Sequence, residues 1–204
     1  MHPAMPQPSS WRDDPARRQL QELYAETDRA LAGFTCPSST DCCHFGRTER
    51  EPYPTAVEVA ELEHAIRAIG GAAAVLRAPT NESVGGRRGG ARALPVVDAE
   101  RRCPLLSTEG RCRVYASRPF GCRTFFCERA THEDGDKMPR RELHALGRLV
   151  ADLSASAFDR DPGPRTLGSA LQGIRDGKTV LVARRVHLAA AAAPARRRPR
   201  AGRS

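Results

Sequence analysis

Seven cysteines, confined to two short segments, constrain this chain more than any other feature. Cys103, Cys112, Cys122 and Cys127 fall within 25 residues, and Cys36, Cys42 and Cys43 lie some sixty residues upstream. No cysteine occurs elsewhere. Both segments are rich in turn formers: Pro37, Ser38, Ser39, Thr40 and Asp41 in the first, Pro104, Gly110, Pro119 and Gly121 in the second. Turns let side chains from separate stretches converge, so the pattern points to a metal site assembled from two segments.

Disulfides are the competing use of so many thiols. An odd count would leave one thiol over. The stretch Met1 to Ser10 is polar and Pro-rich, without the apolar core of a signal peptide. No run is long and apolar enough to span a membrane, since Leu188 to Ala193 is short and mostly alanine. A cytoplasmic location is therefore expected, where thiols stay reduced.

Charge separates body from tail. The formal net charge is +9, but no acidic residue follows Asp176, whereas Lys178 and seven arginines do. Taking those eight charges away leaves residues 1–176 at +1. A basic groove built into the fold is thus not expected. The Arg-rich tail, including Arg196-Arg197-Arg198-Pro199-Arg200, is the one candidate contact for nucleic acid or a protein partner, and a solvated tail is the simpler reading. Aromatics are only 5% of the chain, so the apolar core should be modest and bound metal would supply folding energy.

Residues 1–12 read as a disordered N-terminus, 13–176 as one cysteine-cluster domain, and 177–204 as a disordered basic tail. Asp14 before Pro15 is a helix start. Leu20, Leu23, Tyr24, Thr27 and Leu31 then recur at helical spacing, to a stop near Gly33. Thr55 and Glu58 form a capping box for a helix ending at Gly70-Gly71. A short alanine-rich helix follows to Ala78, then a Gly-rich loop over 79–94 and a possible strand at 95–98. Leu105-Leu106 and Val114-Tyr115 flank a Glu-Gly turn and predict a small β-hairpin with Gly110 left-handed. Pro139 opens a helix whose apolar line is Leu143, Leu146, Leu149, Val150, Leu153 and Phe158, and Thr166 to Ile174 gives a last one. The expected fold is mainly α, with a small β-hairpin and irregular cysteine-rich loops, in a single metal-stabilised domain. The helices from Pro15 and Pro139 are expected to pack around those loops.

The candidate metal ligands are Cys36, Cys42, Cys43, Cys103, Cys112, Cys122 and Cys127. Thiolates suit zinc, iron and iron–sulfur clusters alike. No pair has the C-x2-C spacing of a zinc finger, so spacing supports a metal site without naming it. A free cysteine is otherwise a small buried hydrophobe, a reading that fits one or two of the seven, Cys127 first. Arg118 and Arg123 beside Cys122 would offset thiolate charge, Phe120, Phe125 and Phe126 would shield the metal from water, and Tyr115 would pack on the hairpin. His44 follows the vicinal pair, and His132 follows Cys127; either could be a ligand or a plain loop histidine. Glu58, Glu61 and Glu63 read as a solvated helix face. No nucleophile–base order or phosphate-cradling loop marks a catalytic residue.

The later segment resembles the YkgJ-type cysteine-cluster family of zinc- or iron-chelating domains. The likeness rests on Cys103-Pro104-Leu105-Leu106, on Gly110-Arg111-Cys112-Arg113-Val114-Tyr115 and on Arg118-Pro119-Phe120-Gly121-Cys122-Arg123. The first segment keeps the register of that family's C-x2-C-x2-C-C element, with Ser39 in place of its second cysteine. The resemblance covers about residues 34–128. It implies a small metal-binding domain with zinc or iron as cofactor and no defined reaction. Three functions remain open at this point: a metal-binding cysteine-cluster protein, an iron–sulfur oxidoreductase or accessory enzyme, and a metal-scaffolded binding module using the basic tail.

Overall fold

The computed structural model describes residues 11–34, 40–76, 101–124, 138–158 and 165–178. Seven α-helices carry them: α1 (Pro15–Ala30), α2 (Phe45–Thr48), α3 (Ala56–Ala68), α4 (Ala72–Val75), α5 (Phe120–Arg123), α6 (Arg140–Ala157) and α7 (Leu167–Arg175). Short 3-10 turns lie at Trp11–Asp13, Asp41–Cys43 and Tyr115–Ser117. No described helix is long and apolar enough to cross a membrane.

Local chemistry explains where the helices start. Asp14 accepts the Ala16 N–H at 2.7 Å, with Pro15 in the first turn. The carboxylate of Glu58 accepts the Thr55 N–H at 2.8 Å and its hydroxyl at 2.9 Å, holding the start of α3. Thr166 caps α7 by accepting from the Ser169 N–H at 3.2 Å. The stop of α3 is also as expected: Gly70 and Gly71 both take positive φ, and the Gly71 N–H bonds back to the Ile66 carbonyl.

The central element is α3, buried along nearly its whole circumference, and it separates two apolar cores. In the first core, Val57, Val59 and Ala60 of α3 meet Leu20, Leu23 and Tyr24 of α1 and Leu146, Val150 and Leu153 of α6. Trp11, upstream of the expected domain start, closes this core with its ring 6.3 Å from that of Phe158. Thr27, the polar member of the α1 stripe, is fully buried and donates to the Leu23 carbonyl at 2.8 Å, so its hydroxyl is satisfied within the helix. In the second core, Leu62 and Ile66 of α3 meet Leu167 and Leu171 of α7, Val75 of α4, and Phe45, Cys103, Leu105, Leu106 and Val114 of the cysteine segments.

Several expectations are corrected here. No strand occurs among the described residues, and the predicted hairpin reduces to one isolated bridge between Leu106 and Cys112. Its turn forms, with Gly110 at φ +72. The ladder does not extend toward Cys103, whose N–H is already bonded to the Cys43 carbonyl. On the other side the chain enters a 3-10 turn at Tyr115. The expected metal-stabilised domain gives way to helices packed on two apolar cores, with no metal-holding group among the described residues. α1 and α6 pack on α3 and on each other, and of the cysteine segments they reach α5, which carries Cys122. Leu149, placed on the apolar line of α6, is half exposed, because Val150 takes the inward position. The possible strand at 95–98 lies outside the described residues.

Candidate metal centre

Two backbone hydrogen bonds join the two cysteine segments. The Cys103 N–H donates to the Cys43 carbonyl at 2.7 Å, and the Phe45 N–H donates to the Arg101 carbonyl at 2.8 Å. His44 and Arg102 thereby face each other in an isolated antiparallel bridge. Thr40 in the left-handed region (φ 59) starts the 3-10 turn that carries Cys42 and Cys43, and Asp41 in that turn pairs with Arg47 at 3.5 Å. The two sulfurs of the vicinal pair are 3.9 Å apart. The Ser107–Gly110 turn then reverses the chain from Cys103 to Cys112. A β-carbon at Gly110 would lie 3.5 Å from the Thr40 methyl, so this turn sits against the first segment.

Cys122 arrives by another route. It lies on α5, and α5 is fastened to α3 by carboxylates. Glu58 accepts the Phe120 N–H at 2.5 Å and the Tyr24 hydroxyl at 3.3 Å. Glu61 accepts from Ser117 Oγ at 3.1 Å, from Trp11 Nε1 at 3.0 Å and from Arg17 Nε at 2.7 Å. Glu63 pairs with Arg67 one turn on. All three glutamates are 2 % exposed, so the expected solvated face is instead buried and hydrogen-bonded. The capping box signalled one bond of Glu58. Nothing near α3 in sequence signalled the long-range bonds of Glu58 and Glu61, because their donors come from residues 11, 17, 24, 117 and 120.

The two arginines beside Cys122 have different tasks. Arg123 is buried and spends its guanidinium on Asp28 at 2.6 Å and on the carbonyls of Arg118 and Ala116, while lying 4.1 Å from the centre of the Tyr24 ring. It staples α5 to α1 rather than offsetting thiolate charge. Arg118 does lower the pKa of Cys42, Cys112 and Cys122 through its charge. Its guanidinium lies 3.6 Å from the centre of the Tyr115 ring. Tyr115 is 60 % exposed, so it props Arg118 rather than packing on a hairpin. Phe120 packs toward the first core, its ring 3.1 Å from where a β-carbon on Gly147 would be, which removes it from the expected metal shield. Phe125 and Phe126 lie outside the described residues.

Of the seven predicted ligands, five are described. Cys103 is in the second core, with Cys43, Cys112 and Cys122 packed against it and Cys42 beside Cys43. Cys36 and Cys127, like Ser39 and His132, lie outside the described residues. All five thiols are free. They also sense one another: Cys42 and Cys112 raise the pKa of Cys103, and Cys103 and Cys112 raise that of Cys122. Among the described residues, no group of three His, Cys, Asp or Glu side chains forms a set able to hold a metal ion.

The donor chemistry suits a soft cation all the same. The Leu105 N–H bonds to the Cys103 sulfur and the Val114 N–H to the Cys112 sulfur, two i to i+2 contacts that favour thiolate. Burial opposes ionisation. It pushes Cys103 up to about 12 from an ordinary 9.0 and raises Cys112 and Cys122 as well. Cys43 is raised by the hydrogen bond that it donates to Cys42 and then by burial, and the same bond lowers Cys42 to about 7. A metal ion would supply the positive charge that lets several such thiolates coexist. Among the described residues, Nδ1 of His44 is buried without a hydrogen-bond partner.

No family model, no curated protein and no solved structure matches this chain.

Proposed function

We propose that the chain is a metal-binding protein that chelates zinc or iron through its clustered cysteine thiolates. The observation that carries this reading is the gathering of Cys42, Cys43, Cys103, Cys112 and Cys122 from three separate stretches against one core. Two of those sulfurs accept backbone N–H groups. Packing alone gives no reason for so many free thiols to border one core, whereas soft-metal ligation does. Iron with inorganic sulfide would use the same thiolates as an iron–sulfur cluster. A reducing compartment such as the cytoplasm belongs to this reading, because the thiols must stay free to bind.

The test is elemental analysis with a visible spectrum on untagged protein purified without oxygen. Stoichiometric zinc without colour supports a zinc site. Iron with acid-labile sulfide and a broad visible band supports a cluster. Neither metal bound on isolation nor after reconstitution overturns the reading.

A further inference from the structure

We infer that Cys42 and Cys43 form a redox-active vicinal dithiol that reduces small disulfides bearing carboxylates, with Arg118 as the residue that binds the carboxylate. This activity needs no metal and goes beyond chelation. Its first support is geometry. Successive side chains of a strand point to opposite faces. Here the chain turns instead: Thr40 takes a left-handed φ of 59, and the Cys43 N–H closes on the Thr40 carbonyl at 2.8 Å. The two sulfurs lie 3.9 Å apart as a result. Both residues are half-buried, so a small reagent can reach them, whereas Cys103 is buried. The Cys103 N–H, bonded to the Cys43 carbonyl at 2.7 Å, anchors the pair.

The second support is an unpaired cation. Arg47 is paired with Asp41, and Arg123 with Asp28. Among the described residues no carboxylate pairs with Arg118. Its Nε donates to the Tyr115 carbonyl at 3.2 Å, and its guanidinium lies 3.6 Å from the centre of the exposed Tyr115 ring. The terminal N–H groups are left for a ligand, and their planar fork suits a carboxylate. The charge of Arg118 acts on Cys42, so a carboxylate held there brings the rest of a small molecule to the thiol pair.

The reaction balances without a further reagent. The Cys42 sulfur attacks one sulfur of the incoming disulfide, forming a mixed disulfide; the first thiol leaves with the proton from Cys42. The Cys43 sulfur then attacks the Cys42 sulfur and closes a Cys42–Cys43 disulfide; the second thiol leaves with the proton from Cys43. The ligand gains two electrons and two protons, and the pair loses them. Adjacent α-carbons are about 3.8 Å apart, short of the usual disulfide span of about 4.4–6.8 Å, so excess thiol reopens the closed form readily.

The test uses the reduced, untagged full chain, treated with a chelator. It is exposed to glutathione disulfide, which carries carboxylates, or to cystamine, a cationic disulfide. Cleavage before Asp41 and after Arg47 separates the pair from Cys36 for mass spectrometry. The expected product is this peptide, lighter by the two hydrogens lost on ring closure and restored by excess thiol. Cys43→Ser should stop at a glutathione adduct on Cys42. Arg118→Ala should slow closure by glutathione disulfide at least about fivefold and leave cystamine no slower. A lasting glutathione adduct in the unmodified chain, or Cys42 joined to any other cysteine, overturns the dithiol, as does the absence of an adduct on Cys42 in Cys43→Ser. An unchanged rate in Arg118→Ala, or equal slowing with both reagents, overturns the carboxylate site, because a general loss of thiol reactivity would act on both.

Discussion

The carboxylate of Glu58 holds the backbone N–H of Phe120 at 2.5 Å, across 62 residues of sequence. The same side chain caps its own helix at Thr55 and accepts the Tyr24 hydroxyl. One buried carboxylate therefore ties α1, α3 and the turn that presents Cys122.

Replacing Glu58 with alanine strands those donors and should cost about 3 kcal/mol in urea unfolding. The pH dependence has a definite sign. Burial raises the Glu58 carboxyl above its ordinary 4.5, so the folded chain holds this proton more tightly than the unfolded one. Its contribution is full below about 4.5 and is lost as pH rises through the raised folded value. Unfolding measured across this range should show that decline in the native protein and not in Glu58→Gln.

Arg123 should be irreplaceable by another cation. Its fork serves Asp28 and two carbonyls at once, over the Tyr24 ring. Arg123→Ala is expected to cost about 3 kcal/mol, most of it from the buried carbonyls, because Asp28 is more than half exposed and its charge is screened. Lysine offers a point charge without the fork, so Arg123→Lys should recover roughly half of the loss at most. Urea midpoints of the three proteins check this.

Thiol reactivity in the metal-free chain should be unequal. Cys42, lowered to about 7 by its hydrogen bond with Cys43 and helped by Arg118, is the readiest of the described thiols to ionise near neutral pH. Cys103 is buried and Cys122 partly buried, and burial raises both thiols. Brief treatment with iodoacetamide, read by peptide mass spectrometry, should label Cys42 first and leave Cys103 and Cys122 unmodified. Equal labelling of these three would contradict the described electrostatics.

Zinc binding should strengthen with pH. Cys43, Cys103, Cys112 and Cys122 all have pKa values raised above 9.0, so each must give up a proton on ligation near neutrality. Affinity should climb about tenfold per pH unit for each proton released. Chelator competition at several pH values gives the slope, and proton release in weakly buffered solution gives the same number independently.

Sequence reading found what depends on neighbours a few residues apart. Asp14 before Pro15, the Thr55–Glu58 box, the Leu20–Leu31 stripe and the left-handed Gly110 are local, and each appears in the structure. Reading failed where the deciding partner is distant. Glu61 looked solvated because Trp11, Arg17 and Ser117 are invisible from α3. Leu105-Leu106 looked like a strand because the competing claim on Cys103 comes from Cys43. The clustering of thiols was legible because cysteine is rare and its grouping is conspicuous. Which of them meet depends on the two cores, which no local pattern encodes.

The bond between Cys103 and Cys43 has a consequence for the order of events during synthesis. Its donor leaves the ribosome sixty residues after its acceptor, and Cys122 follows later still. At about 5–20 residues per second, the first thiols wait several seconds before their partners exist. During that interval Cys36, Cys42 and Cys43 face the surrounding oxidants without those partners. Under the metal-binding proposal, acquiring the right ion would therefore depend on elongation and on whatever guards a nascent thiol, as well as on the affinity of the finished fold.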